Sequence, residues 1–413
     1  MYMRMMLVDH IRSQFPTLSR KVYGKDLVYF DNAATSQRPV TVIEEWNRIS
    51  RESNSNIHRA VHRLADEATQ AYEQARDCVR DFLNAEAREE IVFTSGTTAA
   101  INLAAFCYGE AFVNEGDEVI VSEAEHHSNI VPWQMMCKRR GAVLKVLPVD
   151  DSGHLMVDKL DDLLNERTRI VAVTHISNVL GIINPVKDII RKCHSKGVPV
   201  LIDGAQGAVH LKVDVRDLDC DFYVFSGHKL YAATGTGVLY GKKKWLEAMP
   251  PYMGGGEMVG TVRFAETTYA PLPMKFEAGT QNFASAATLK PAIEFVNSLS
   301  DNNLEDYNNR IRDYLLDILL NDERIELFGV PRGTYDEKIP LFSFVVKGVH
   351  HEDLALILDK MGIAVRSGQM CAEPLMDRFG VTGMLRVSLA PYNTMEEAEY
   401  FVKCLDKAIG MLI

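Results

Sequence analysis

Short apolar runs alternate with amphipathic stretches between about residue 90 and residue 240. The runs are rich in Val and Ile, are bounded by turn residues and often hold apolar residues in succession, as in strands covered on both faces. The predicted strands are EEIVFT, DEVIVS, AVLKVLPV, TRIVAVTH, VPVLID, CDFYVFS and GTGVLYG. Helices fit between them, most clearly in NPVKDIIRKCHSKG, which has Pro185 near its start and Gly197 just beyond its end. This alternation predicts an open, mostly parallel α/β sheet.

The pattern changes after this region and then restarts. Residues 241–293 are rich in Gly, Pro and aromatic side chains, which indicates a long functional segment rather than a layer of strands. From about residue 294 we expect a long helix, the strand FSFVVKG, the helix HHEDLALILDKMG, the strands IAVRS and MLRVSLA, and a closing helix. Thr394 and Glu397 form a capping box for that last helix. The predicted parts are an N-terminal segment (1–25) that packs with the small domain, a large domain (26–293) and a small α+β domain (294–413).

Composition narrows the class of protein. A chain of 413 residues with 47% hydrophobic and 24% charged residues is typical of a globular protein of two domains. The net charge of 45 − 56 = −11 argues against a nucleic acid or an anionic membrane as partner. No apolar run approaches the ~18–20 residues of a membrane helix, and Asp9, His10 and Arg12 interrupt the N-terminus before a secretory h-region could form. The seven scattered cysteines include no CxxC pair, which indicates a cytoplasmic protein without disulfides or a metal site.

Two polar segments follow neighbouring apolar runs. Asp203 closes PVLID and should be buried, and Lys229 follows the next run in Ser226-Gly227-His228-Lys229. The carboxylate can keep a pyridine nitrogen protonated, and the lysine can hold an aldehyde as a Schiff base, so the pair predicts a pyridoxal 5'-phosphate (PLP) site. The alternatives are that Asp203 caps the following helix and that Lys229 is a solvated surface lysine.

Other polar residues stand at the carboxyl ends of predicted strands, where ligands bind in open α/β sheets. Thr94-Ser95-Gly96-Thr97-Thr98 opens a helix and can cradle a phosphate, although a capped helix start has the same residues. His126 could lie flat on the PLP ring, and Asn178 and Gln206 could hydrogen-bond its 3'-oxygen. Ser226 and His228 could complete the phosphate site. Each of these residues could instead be a loop residue without a function.

Further segments match a known family. They are Leu27-Val28-Tyr29-Phe30-Asp31-Asn32-Ala33-Ala34-Thr35, Asn56-Ile57-His58-Arg59, Phe276-Glu277-Ala278-Gly279-Thr280 and Tyr392-Asn393-Thr394. With them the chain resembles the fold-type I PLP enzymes of the class V aminotransferase group, and most closely the group II (SufS-type) cysteine desulfurases related to selenocysteine lyase. The resemblance implies a large, mostly parallel α/β domain that binds PLP and a smaller α+β C-terminal domain. It also implies a homodimer with its active sites at the subunit interface.

The resemblance assigns roles to individual residues. Lys229 is the Schiff-base lysine, Asp203 pairs the ring nitrogen and His126 stacks on the ring, while Asn178 and Gln206 contact the 3'-oxygen. The phosphate-binding residues it implies are Thr97, Thr98, Ser226 and His228, with Thr280 reaching the partner subunit's phosphate. The substrate-binding residues it implies are Arg386, which pairs the substrate carboxylate, together with His58, Asn178 and Arg366. For Arg386 the alternative is an arginine on a strand surface.

One cysteine differs from the other six, which lie in apolar or helical stretches. Cys371 lies in a loop from Arg366 to Pro374 that resembles the R-[ST]-G-x-x-C-A-x-P loop of group II desulfurases, whose cysteine takes sulfur from the substrate. The family commonly has two histidines before this cysteine, whereas this chain has Gln369 and Met370. The difference removes a possible local base but keeps the nucleophile.

These residues together predict a cysteine desulfurase. L-Cysteine would be converted to L-alanine, and its sulfur would pass through a persulfide on Cys371 to an acceptor protein. The resemblance implies that this acceptor is of the SufE or SufU type and that the sulfur serves iron–sulfur cluster assembly. One alternative is a selenocysteine lyase, which would use the same site. Two others are a different class V enzyme, such as an aminotransferase or a kynureninase-like enzyme, and a PLP-fold scaffold without catalysis. Cys371 argues against the former, and Lys229 with Asp203 argues against the latter.

Overall fold

The computed structural model describes residues 2–301 and 304–413. Its helices are α1 (Tyr2–Ser13), α2 (Val40–Glu52), α3 (Arg63–Leu83), α4 (Thr97–Phe112), α5 (Val131–Arg140), α6 (Leu160–Leu163), α7 (Val186–Ser195), α8 (Gly207–His210), α9 (Val215–Leu218), α10 (Lys243–Ala248), α11 (Phe283–Ala287), α12 (Leu289–Asp301), α13 (Glu305–Asn321), α14 (His351–Lys360), α15 (Glu373–Phe379) and α16 (Met395–Leu412). Its strands are β1 (Lys21–Val22), β2 (Lys25–Asp26), β3 (Val28–Tyr29), β4 (Ile91–Thr94), β5 (Glu118–Ser122), β6 (Val143–Leu147), β7 (Thr168–Thr174), β8 (Val200–Asp203), β9 (Phe222–Ser226), β10 (Gly237–Gly241), β11 (Val259–Val262), β12 (Thr267–Tyr269), β13 (Ile325–Phe328), β14 (Leu341–Val346), β15 (Ile363–Ala364), β16 (Arg366–Gly368) and β17 (Met384–Ser388).

All seven strands predicted between residues 90 and 240 are present, and they form one sheet. Its order is β4-β10-β9-β8-β7-β5-β6. The strands from β9 to β6 are parallel, while β10 is antiparallel to both of its neighbours. The prediction of a mostly parallel sheet is therefore confirmed.

Both faces of this sheet are buried, which explains the unbroken apolar runs in the sequence. Along β9, Phe222 and Val224 belong to one hydrophobic core, while Tyr223 and Phe225 belong to another. The residues of β8 alternate in the same way. Because helices cover the two faces, the open edge at the carboxyl ends of the parallel strands is left for a ligand.

The C-terminal part contains a second sheet, which is antiparallel and has the order β13-β14-β17-β16. The predicted strands FSFVVKG and MLRVSLA are β14 and β17, and the predicted closing helix is α16. The predicted strand IAVRS is two strands, because β15 pairs with β3 whereas β16 pairs with β17. Residues 241–293 also contain a two-stranded hairpin, β11-β12, which the Gly- and Pro-rich composition did not indicate.

The N-terminal residues contact the C-terminal part of the chain. The Arg12 guanidinium is 2.7 Å from the Glu397 carboxylate and donates to the Tyr392 carbonyl at 3.2 Å. A bridge between Asp31 and Ser388 continues the contact toward β17. The division into an N-terminal segment, a large domain and a small domain, with limits at residues 25 and 293, stays a prediction. No helix in the described part of the chain is long and apolar enough to cross a membrane.

Candidate active site

Asp203 is the last residue of β8, and only 4% of it is exposed. Its Oδ1 accepts a hydrogen bond from the Ala205 N–H at 2.9 Å. Burial raises the pKa of Asp203, and the Ala205 N–H and Lys229 oppose this effect. Within residues 2–301 and 304–413, no cationic side chain forms a salt bridge with it, and it does not cap α8, which begins after Gln206. A buried carboxylate without a counterion fits the protonated nitrogen of a PLP ring.

Lys229 lies three residues beyond the end of β9 and is partly buried. Burial lowers its pKa from 10.5 to about 8, an effect that Asp203 opposes and Arg386 reinforces. Because the side chain is partly buried, Lys229 is not a solvated surface lysine. The lowered pKa makes the neutral amine available near neutral pH, as covalent attachment to an aldehyde requires.

The start of α4 lies against the end of β9. The Thr97 N–H donates to the Ser226 hydroxyl at 2.8 Å, and the two hydroxyls are 2.7 Å apart. Gly237 lies on β10, the strand between β4 and β9. A Cβ at this position would come within 2.4 Å of the Gly96 backbone, so the close approach of the two segments requires glycine. Thr98 is exposed at the first turn of the 16-residue helix. This helix start with its hydroxyl groups fits a phosphate.

Two histidines are predicted to contact PLP, His228 at the phosphate and His126 on the face of the ring. Both are neutral. Burial, with Lys229 as the next cause, lowers the pKa of both His126 and His228 to about 4. His126 Nδ1 accepts from the Ser128 N–H at 3.1 Å, so its proton is on Nε2. His228 Nδ1 lies 3.2 Å from the Thr35 hydroxyl. A neutral imidazole at position 126 suits a ring that packs flat on an aromatic cofactor.

The two predicted amides each have one hydrogen bond to the protein. Gln206 Nε2 donates to the Ala33 carbonyl, and Asn178 Nδ2 donates to the Met370 carbonyl, both at 2.9 Å. Both side chains are buried. Each amide retains a further N–H for a ligand oxygen. The bond from Asn178 reaches the loop that carries Cys371, a contact that the sequence did not indicate.

Two arginines converge on Asp31. The register of β16 and β17 places Arg366 opposite Arg386, and their guanidinium groups lie 2.7 and 3.4 Å from the Asp31 carboxylate. Arg386 is 3% exposed, so the alternative of an arginine on a strand surface is wrong. Burial lowers the pKa of Arg386 to about 10, with Asp31 opposing. Its Nε is buried without a hydrogen-bond partner in the described structure, which leaves a donor for a substrate carboxylate.

Cys371 is the exposed cysteine of the chain. Five others are buried and Cys78 is partly buried. The charge of a Cys371 thiolate raises the pKa of Lys229, Arg366 and Arg386, so the sulfur lies in the field of three cations. The loop therefore brings a nucleophile to the same site as Lys229.

Three residues at this site were not predicted to have a role. Asp31 lies in the segment from Leu27 to Thr35, but the resemblance implies no role for it. Its partners, Arg366 and Arg386, come from β16 and β17. His127 accepts the Glu373 N–H at 3.0 Å beside Cys371. Glu125 is fully buried and bonded to Asn129 at 2.7 Å, and burial raises its pKa to about 8. The available signal for the last two was their position in the run Glu125-His126-His127.

Two of the predicted site residues, His58 and Thr280, make no described contact with this group. The His58 N–H donates to the Thr69 hydroxyl at 2.9 Å, and its Nε2 is 3.7 Å from Glu73. Thr280 is exposed after Gly279. None of the described contacts of His58 or Thr280 involves a residue around Lys229, so their roles at the site stay predictions.

Comparisons with known proteins show which family the chain resembles. Residues 28–401 match the family described as Aminotransferase class-V. A cysteine desulfurase of Cronobacter sakazakii is 47% identical over 396 residues, which are 96% of this chain and 96% of that protein. A probable cysteine desulfurase of Vibrio cholerae is 45% identical over 408 residues, 99% of this chain and 100% of that protein.

Solved structures extend the likeness to the fold. The crystal structure of the cysteine desulfurase CsdA of Escherichia coli has a TM-score of 0.89 and 41% identity, and the match covers 98% of this chain and 99% of that chain. The apo structure of a cysteine desulfurase of Thermococcus onnurineus has a TM-score of 0.88 and 34% identity over 96% of this chain and 99% of that chain. The predicted fold-type I architecture is confirmed. The chain belongs to the class V aminotransferase family, among its cysteine desulfurases.

Proposed function

We propose that the chain converts L-cysteine to L-alanine and leaves the sulfur as a persulfide on Cys371. The observation that carries this proposal is an exposed thiol that acts on Lys229 and Arg386, together with the buried carboxylate of Asp203, which also acts on Lys229. PLP, when bound, supplies an electron sink for the bonds that break at the substrate. Every other task falls to side chains of the protein.

We infer the following contacts to the cofactor. Asp203 would provide the negative charge that keeps the ring nitrogen protonated, Lys229 would hold the aldehyde and His126 would cover one face of the ring. Asn178 and Gln206 would donate to the 3'-oxygen. The phosphate would be held by Thr97, Thr98, Ser226 and His228 of one chain and by Thr280 of its partner.

Substrate carboxylate binding falls to Arg386 and Arg366. The unpaired Nε of Arg386 is available to donate, and the two guanidinium groups already converge on one carboxylate, Asp31. Two arginines and Asp31 leave one net positive charge, which matches a single carboxylate. His58 of the second chain completes the proposed substrate site.

The proton and sulfur steps follow from the protonation states. The Lys229 amine, whose pKa burial lowers to about 8, takes the Cα proton at near-neutral pH. His126 holds its proton on Nε2 and can pass it at the ring face. The Cys371 thiolate is the nucleophile that attacks the substrate sulfur. The S–S bond forms as the Cβ–S bond breaks, so L-cysteine and the Cys371 thiol give L-alanine and a persulfide without an external oxidant.

The proposed partners are a second copy of the chain and a protein sulfur acceptor of the SufE or SufU type, for iron–sulfur cluster assembly. Several apolar side chains of the β11-β12 hairpin are exposed, among them Val262, Phe264 and Tyr269, which supports burial against another surface. The seven free cysteines support a reducing cytoplasm.

The test is to follow both products in wild type and in Cys371→Ser. With L-cysteine, wild type should release alanine and gain about 32 daltons on the Cys371 peptide, the mass of one sulfur atom. Cys371→Ser should still show the spectral change on binding L-cysteine but form alanine about a hundredfold more slowly, because a hydroxyl is a poor nucleophile toward sulfur.

Cys78→Ser is the matched control, because burial raises the pKa of that thiol to about 11 and it should tolerate the change. Persulfide on a cysteine other than Cys371, or undiminished alanine formation by Cys371→Ser, contradicts the proposal. Turnover of L-selenocysteine alone identifies a selenocysteine lyase instead.

A further inference from the structure

The loop that carries Cys371 has an unfavourable backbone conformation. Met370 and Cys371 both have φ of +55°, in the left-handed region that side chains with a Cβ rarely adopt. Two such residues in succession persist only where surrounding contacts hold them. The position of the nucleophilic sulfur therefore depends on what the loop is bonded to.

Three hydrogen bonds join residues 370–373 of this loop to the large α/β part of the described chain. Asn178 Nδ2 donates to the Met370 carbonyl at 2.9 Å, and the His127 N–H donates to the Cys371 carbonyl at 2.7 Å. In the third bond, the Glu373 N–H donates to His127 Nε2 at 3.0 Å. Two of the three bonds therefore belong to His127, one at Cys371 itself and one two residues later.

The bond to Glu373 satisfies a donor at the start of α15. This helix begins at Glu373, whose backbone N–H, like the others of the first turn, has no acceptor within the helix. The Gln369 side chain bonds to the Glu373 carboxylate, at 3.3 Å, rather than to this N–H. His127, which is 246 residues away in the sequence, supplies the acceptor at its Nε2.

We propose that His127 is a positioning residue for the nucleophile: its ring fixes the start of α15 and thereby holds the Cys371 sulfur over the site. The inference rests on the proposed function of Cys371. His127 itself touches neither substrate nor cofactor in this role. Its side chain acts on sulfur removal and leaves substrate binding unchanged.

Three substitutions separate this role from general stability. In His127→Gln the side-chain carbonyl oxygen is the same number of bonds from Cα as Nε2, so the acceptor is kept. In His127→Asn the acceptor is one bond short, and His127→Leu has none. The matched control is His154→Leu, which removes another partly buried histidine whose Nε2 is 3.1 Å from the Val330 carbonyl, away from Cys371.

Two measurements on the PLP-loaded enzyme test the inference. The first is hydrogen–deuterium exchange of the peptide holding Glu373, which does not depend on activity. The second is alanine formation in a single turnover, compared with the L-cysteine concentration that half-saturates the spectral change. In His127→Leu and His127→Asn we expect exchange about tenfold faster and alanine formation about tenfold slower, as loss of one hydrogen bond predicts, with half-saturation unchanged within about twofold. His127→Gln and His154→Leu should match wild type within about threefold.

Each contrary result has one meaning. If His127→Leu keeps wild-type exchange and wild-type alanine formation while the wild type forms persulfide on Cys371, the inference is wrong and the proposed function stands. If His127→Gln is as impaired as His127→Leu, the acceptor is not what matters, and the inference is again wrong. If the wild type itself forms no persulfide on Cys371, the proposed function fails, while the exchange data still decide whether His127 holds the loop.

Discussion

At the scale of single residues, burial sets the chemistry of the site. It raises the pKa of Asp203 and of Glu125 and lowers that of Lys229 and of His126. Each shift favours the uncharged form of the group. The shift matters most for Lys229, because an amine must be neutral to attack an aldehyde and the lowered pKa increases its neutral fraction.

The first prediction concerns capture of PLP by Lys229 in protein from which the cofactor has been removed. Because the pKa of Lys229 is lowered from 10.5 to about 8, the neutral fraction rises as pH passes through about 8. The rate at which the visible absorbance of bound PLP develops should therefore rise with pH and reach half of its maximum near pH 8.

The matched variant is Arg386→Gln, which removes a cation that lowers the pKa of Lys229. Its midpoint should move to higher pH. A wild-type midpoint near 10.5, or no shift in Arg386→Gln, would show that the site does not tune this lysine as described.

The sequence was enough to predict those residues whose chemistry can be recognised without knowing their neighbours in the fold. Asp203 and Lys229 end apolar strands, and Cys371 lies in a recognisable loop. It missed Asp31 and His127, because the groups they contact lie far along the chain. Arg366 is 335 residues from Asp31, and Glu373 is 246 residues from His127. Such roles appear only when the fold brings the partners together.

At the scale of elements, the sequence predicted best the strands that are buried on both faces. Such strands have continuous apolar runs, and all seven strands predicted between residues 90 and 240 are present. IAVRS was predicted as one strand because its five residues contain no signal for a change of partner between β3 and β17. The hairpin β11-β12 was missed because its residues are largely exposed, which removes the apolar pattern of a strand.

The second prediction concerns the start of α16. The predicted capping box is present: the Thr394 hydroxyl accepts the Glu397 N–H at 3.2 Å, and the Glu397 carboxylate accepts the Thr394 N–H at 3.0 Å. Thr394→Ala leaves the Glu397 N–H without its acceptor. It should lower the free energy of unfolding by about 1 kcal/mol, measured by urea denaturation.

Thr334→Ala is the control for this change. Thr334 also precedes a short helical turn, but its side chain makes no capping hydrogen bond. We expect a change within about 0.5 kcal/mol for that variant, as for an ordinary surface position. Equal losses for the two threonines would mean that the capping bond contributes nothing to stability.

At the scale of the whole molecule, the predicted site residues fall into two groups. Asp203, Arg386 and Cys371 all act on the pKa of Lys229. His58 and Thr280 share none of these interactions. Symmetric association of two identical chains would allow each to supply the residues that the other lacks.

The third prediction tests that exchange by mixing two inactive variants. Lys229→Ala lacks the attachment lysine, and the double variant His58→Ala/Thr280→Val lacks the residues proposed to reach the neighbouring site. In a mixed dimer, one site combines Lys229 of the double variant with His58 and Thr280 of the other chain and is intact. Unfolding and refolding an equal mixture should give half mixed dimers, and hence about a quarter of wild-type alanine formation.

The mixing experiment distinguishes the two arrangements, because a site built within one chain predicts that no activity is recovered. If His58 and Thr280 acted on the Lys229 of their own chain, every site in the mixture would lack at least one required residue, and no activity would return. Wild-type activity of the double variant alone would instead remove both residues from the site. Recovery from two variants that are each inactive requires that the active site be built across the interface of two chains.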